Sequence, residues 1–111
     1  MTGNEYQYLA SRTIGLDMTS ADMEYHALHG MVSEIGELHG IYQKRYQGHQ
    51  ELTDEHRMKE LGDLLWFVAE YCTANLWDLD DIMQMNIDKL KARYPDGFDA
   101  ERSLHRAKGD V

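Results

Sequence analysis

Apolar side chains in this chain recur every three or four residues and almost never every two, which is the period of helices rather than strands. The longest such stripe starts at Met23 and runs through Leu28, Met31/Val32, Ile35, Leu38 and Tyr42. It predicts a helix ending near Tyr46, about 39 Å long at 1.5 Å per residue, with Thr19 or Ser20 capping its first turn. A second stripe of Leu61, Leu64/Leu65, Val68 and Tyr71/Cys72 predicts another helix, from a Thr53 cap to about Ala74, with 47–53 (QGHQELT) as the connecting loop. A short helix over about 5–13, carrying Tyr6 and Leu9, precedes these two. A fourth, over about 79–93 behind Asp78 or Asp80, stops where Tyr94 precedes Pro95. PDGF reads as a turn, and the remaining polar tail as partly unordered or as one short helix. The pattern therefore predicts an all-α fold, a four-helix bundle formed by one domain over residues 1–111. The two long helices carry more apolar surface than a lone bundle needs, which predicts an oligomer.

Within the long helices the pattern is interrupted by Gly30, Gly36, Gly40 and Gly62, each costing about 1 kcal/mol relative to alanine. For Gly30 and Gly40 the favoured explanation is close approach of another helix. For Gly36 and Gly62, which adjoin acidic residues, room for a ligand or ion is an equal alternative.

Those acids carry the candidate chemistry. SEIGEL places Glu34 and Glu37 three residues apart, and KELGDLL does the same with Glu60 and Asp63. Positions three apart share a helix face, so each pair presents two carboxyl groups together beside the apolar stripe. The 22 residues between Glu37 and Glu60 allow the helices to double back antiparallel and bring the pairs face to face. One like-charge contact at 4 Å is worth about 4 kcal/mol of repulsion at an effective dielectric near 20, so the arrangement calls for a cation. An all-oxygen donor set favours magnesium, with manganese next, over zinc or copper, and magnesium commonly shares its shell with phosphates. One E-x-x-E motif alone is most simply a solvated helix face; two of them argue for a site. On the fourth helix Asn86, Lys89 and Arg93 fall on one face and are candidate phosphate ligands, although cations near a helix C-terminus also have a purely structural use.

The charge balance points the same way. There are 11 Lys and Arg against 20 Asp and Glu, a net charge of −9, which argues against a nucleic-acid polymer or an anionic membrane as partner. With no apolar run of membrane-spanning length and no signal-peptide pattern at the start, a cytoplasmic location is expected.

Taken together, SEIGEL, KELGDLLWFVA and NIDKLKARYPDGF resemble the MazG-like all-α nucleoside triphosphate pyrophosphohydrolases, whose pattern is E-x-x-E, a spacer, then E-x-x-D. YLASRT near the start extends the likeness to roughly residues 5–99. The resemblance implies a MazG-like helical domain that forms a homodimer or homotetramer, and Mg2+ (or Mn2+) held by Glu34, Glu37, Glu60 and Asp63. It also implies hydrolysis of a nucleoside triphosphate between the α and β phosphates, yielding the monophosphate and pyrophosphate for nucleotide-pool cleansing or adjustment. Lys89 and Arg93 would contact the triphosphate, Asn86 would position it, and Glu37 and Glu60 are the candidates for catalytic acids, with Glu37 preferred as base. Many relatives have adjacent glutamates in the first motif, whereas Ser33 precedes Glu34 in this chain.

Two other readings start from the same residues. A phosphoribosyl-ATP pyrophosphohydrolase would share the fold and differ in substrate; a non-catalytic helical dimerisation module would leave its acids on the surface and show no metal-linked stability. A ferritin-type di-metal oxidase is excluded, because no Glu has a His three residues on. His26, His29 and His39 read as boundary residues with hydrogen-bond partners, and His49 and His56 as solvated. Trp66 and Phe67 read as core and Cys72 as a buried structural thiol, while Tyr46 and Trp77 are candidates for stacking on a base.

Overall fold

The computed structural model describes residues 1–49 and 53–111, and among these there are five helices and no strand. They are α1 (Gly3–Ser11), α2 (Ser20–Tyr46), α3 (Asp54–Ala74), α4 (Leu79–Arg93) and α5 (Ala100–Leu104). Part of the expected 47–53 loop, residues 50–52, lies outside the described residues.

The starts of the helices follow from their caps. Thr2 Oγ1 accepts the Glu5 amide at 3.0 Å, so α1 begins two residues before the expected position. At the head of α2, Thr19 and Asp22 form a reciprocal capping box, the hydroxyl accepting the Asp22 amide at 3.1 Å and the carboxylate accepting the Thr19 amide at 3.2 Å. Thr53 Oγ1 accepts the His56 amide at 3.1 Å and starts α3. At α4 the expected cap differs, since Asp78 occupies the cap position without making a side-chain cap bond. Residues of α1 satisfy those amides instead. Gln7 Oε1 accepts from the Leu79 amide at 2.7 Å and Asn4 Oδ1 from the Asp80 amide at 3.0 Å, while Asp80 Oδ1 accepts the Asn4 amide at 3.2 Å. These non-local bonds dock α4 on α1.

The largest interface is between α2 and α3, which run antiparallel: His26 meets Glu70, Gly30 meets Phe67, Glu37 meets Glu60 and Tyr42 meets Arg57. At Gly30 the Phe67 ring lies where a Cβ would stand, so only glycine permits this approach. Gly40, expected to serve the same purpose, has nothing among the described residues within 4 Å of its would-be Cβ, and neither have Gly36 and Gly62.

The buried apolar core is small: Ala10, Ala27, Ala69, Cys72, Ala74 and Leu79. Cys72 is buried as expected, and burial pushes its thiol pKa up, away from nucleophilic use. Glu70, only 1 % exposed, is bridged by His26 Nδ1 at 2.8 and 2.9 Å, giving this half-exposed histidine the boundary role expected of it. Much of the predicted apolar stripe, by contrast, stays exposed: Leu28, Val32 and Ile35 on α2, and Leu61 and Leu65 on α3. The polar tail beyond α4 folds back, with Asp99 capping the one-turn α5 and Asp110 pairing with Arg93.

Candidate metal centre

Three carboxylates meet where the middle of α2 packs against the second turn of α3. Glu34 and Glu37 sit one turn apart on α2, Glu60 faces them from α3, and each offers an oxygen within 4.8 Å of the others. The antiparallel register puts them there, because the Gly30–Phe67 contact one turn below fixes the sliding of one helix against the other. Glu34 Oε2 and Glu60 Oε2 are both buried and, with both carboxyl groups ionised, have no hydrogen-bond donor among the described residues. Ionised, these oxygens have lost water and gained nothing, which a cation or a shared proton relieves.

The electrostatics record that conflict. Burial, a proton shared with Glu60, and the charges of Glu37 and Asp63 push the Glu34 carboxyl up to about 7. Glu60 moves the opposite way, chiefly because Glu34 donates that proton to it, with help from hydrogen bonding to Glu37 and then to His56. His56 Nε2 lies 3.3 Å from Glu60 Oε1, so this histidine, expected to be merely solvated, borders the site. Its position four residues before Glu60 was the available signal.

Asp63 is exposed and stands outside the trio, though its charge reaches both Glu34 and Tyr6, whose hydroxyl is raised first by burial and then by Asp63. One turn beyond the acids, Arg57 donates to the Tyr42 hydroxyl at 3.3 Å and pairs with Asp54. Its Nε is buried without a partner among the described residues. Nothing in the sequence singles out Arg57, since a lone arginine in a first helical turn carries no pattern.

The remaining candidates lie elsewhere. Asn86, Lys89 and Arg93 are on α4, whose main packing is on α1 rather than on α2 or α3. Lys89 and Arg93 line a cavity to which none of the four acids of the two motifs contributes. Tyr46, 94 % exposed, ends α2 well past the acids. Trp77 sits in the α3–α4 turn, its ring 5.9 Å from Tyr71 and its carbonyl accepting from Gln7 Nε2 at 2.8 Å. One chain thus assembles Glu34, Glu37 and Glu60, places Asp63 beside them, and leaves the basic and aromatic candidates apart.

An antiparallel helical pair that gathers carboxylates along its seam defines an all-α protein with an acidic cluster, a candidate metal centre. The MazG nucleotide pyrophosphohydrolase domain matches residues 24–98, a stretch that contains both acidic motifs and the basic end of α4, and the chain belongs to that family. Membership points to nucleotide pyrophosphohydrolase chemistry in general. No curated protein and no solved structure matches the chain. No described helix is long and apolar enough to cross a membrane.

Proposed function

We propose that this protein is a magnesium-dependent nucleoside triphosphate pyrophosphohydrolase that cleaves between the α and β phosphates. The observation that carries this reading is the pair of buried, unpartnered oxygens, Glu34 Oε2 and Glu60 Oε2, inside a trio of carboxylates within 4.8 Å of one another. That donor set fits a hard divalent cation. Glu34, Glu37 and Glu60 would hold it, with Asp63 completing the set. When bound, the ion supplies neutralisation of phosphate charge and a more acidic water.

The protein's own groups do the rest. Glu37 is exposed at the edge of the trio and accepts the proton of the attacking water. Without metal Glu34 and Glu60 share one proton, and an arriving cation takes that proton's place between them. His56 steadies Glu60 by hydrogen bonding at its outer oxygen. Lys89 and Arg93 contact the triphosphate, with Asn86 beside them. Because α4 packs on α1, away from the acids of its own chain, they reach a triphosphate held at the acids of a second copy.

The test is a release assay over ribo- and deoxyribonucleoside triphosphates, with and without magnesium, scoring pyrophosphate against orthophosphate. Magnesium-dependent pyrophosphate release that falls on the order of 100-fold or more in Glu60→Gln is the expected result. Near-normal turnover in Glu37→Gln or Glu60→Gln would remove these acids from the mechanism. Absence of release from every nucleotide, in folded protein, would overturn the activity.

A further inference from the structure

In a chain of net charge −9, four of the 11 lysines and arginines line one cavity of about 400 Å3 between α4 and the tail: Lys89, Arg93, Arg102 and Arg106. His105 lies on the same wall. Among the described residues Lys89, Arg102 and Arg106 make no ion pair. The cavity has one acidic lining group, Asp110. Its two oxygens accept from Arg93 Nε and a terminal guanidinium nitrogen, both at 2.7 Å, with the paired side chains only 15 % and 9 % exposed. This is the fork geometry with which arginine binds a phosphate.

We propose that the cavity is a binding site for a polyphosphate anion and that Asp110 is its internal competitor, occupying Arg93 until an incoming phosphate displaces it. Naming the ligand as polyphosphate rests on the pyrophosphohydrolase reading; the competition does not.

The local backbone is built for a reversible contact. Gly109 has φ +87°, a conformation in which a side chain is strained, and it turns the chain so that Asp110 faces back toward α4. Only one backbone hydrogen bond ties this turn, from the Asp110 amide to the Ala107 carbonyl at 3.1 Å. Arg93 holds the Asp110 carboxyl below the usual carboxylate range, with further pull from Arg106 and Lys89, so the competitor is charged at neutral pH. With the carboxylate removed, four cationic side chains face one cavity without compensation, and a multiply charged anion is the ligand that relieves them.

The experiment titrates pyrophosphate into the full chain by calorimetry, in EDTA so that the acid trio takes no metal-bound anion. It compares the wild type with Asp110→Asn, which removes the competing charge, and Gly109→Ala, which strains the turn without changing any charge. The expected result is binding five- to ten-fold tighter in both variants, on the order of 1 kcal/mol, and faster exchange of the Asp110 amide in the wild type once pyrophosphate is added. Unchanged or weaker binding in Asp110→Asn overturns the proposal by making the pair a structural clasp. Tightening in Asp110→Asn alone also overturns it, as a general charge effect. A nucleoside triphosphate arm in the same buffer identifies the source: tighter binding than pyrophosphate assigns the cavity to substrate, equal binding to the phosphates alone. Failure of the hydrolysis assay with tightening intact would reject the enzymatic reading and leave the competition standing.

Discussion

Glu34 concentrates the energetic cost of the acidic centre. Its carboxyl is raised to about 7 from an ordinary value of 4.5, so without metal the folded protein holds a proton that the unfolded chain releases near pH 4.5. The stability this proton confers is complete below pH 4.5 and is lost as pH climbs through about 7. Glu60 is depressed, so its contribution has the opposite sign and lies below pH 4.5, outside that window; the two titrate as a pair sharing one proton. The melting temperature of metal-free protein should therefore fall between pH 5 and pH 8. Glu34→Gln, which carries no proton to lose, should flatten that slope. Magnesium must displace the same proton, so the rise in melting temperature it causes should be small at pH 5.5 and grow through pH 7 to 8. Calorimetric melts at these pH values, with magnesium and with EDTA, check both directions, and a magnesium shift independent of pH would remove Glu34 from the ligand set.

Between helices, glycine separates contacts that look alike in the sequence. Gly30 abuts Phe67, so Gly30→Ala must push the ring or the helices apart, and a loss of about 1 to 3 kcal/mol is expected, as for other overpacked sites. Gly40 faces open space in the same helix, and Gly40→Ala should stabilise by up to about 1 kcal/mol through helix propensity alone. Urea unfolding of the two variants tests the contrast, and equal effects would mean that the α2–α3 contact is not tight at Gly30. The same pair shows what was legible beforehand. Spacing and caps located α2 and α3 closely, because Thr19 and Thr53 act on amides three residues away and the apolar period is local. Glu34, Glu37 and Glu60 followed from that period as well. Which glycine met a ring did not, since the register of α2 against α3 is set by partners some 37 residues apart. The capping of α4 was hidden for the same reason: Asn4 and Gln7, more than 70 residues away, replace the local cap that Asp78 promised. Glu70 was likewise missed, because a lone acid in an apolar run acquires meaning only once His26 is brought beside it.

At the scale of the molecule the chain is less compact than its length predicts. The radius of gyration is 17.4 Å, whereas a compact domain of this length has about 13 Å. The surface of 8572 Å2 exceeds by about 2,300 Å2 what a folded monomer of 12.9 kDa exposes. That excess is of the order buried in obligate assemblies, and it has a place to go. Met58, Leu61, Leu64, Leu65 and Val68 line an open apolar groove along α3, deepened at Gly62 where no side chain intrudes. Val32 and Ile35 lie exposed on α2, as do Ile87 and Leu90 on α4. The proposed shared site requires a second copy of the chain to cover these apolar surfaces and to bring its acids to the basic end of α4. Sedimentation equilibrium at micromolar concentration should therefore give twice or four times the chain mass. Leu61→Asp with Leu65→Asp, placing charges in the groove, should shift the protein to monomer and lower its melting temperature. Magnesium-dependent turnover should fall with the assembly, and return when this variant is mixed with an excess of Glu60→Gln chains only if the groove pairs with a different surface on the partner. A wild-type chain that sediments as a stable monomer would reject both the shared site and the burial of the exposed stripe between copies.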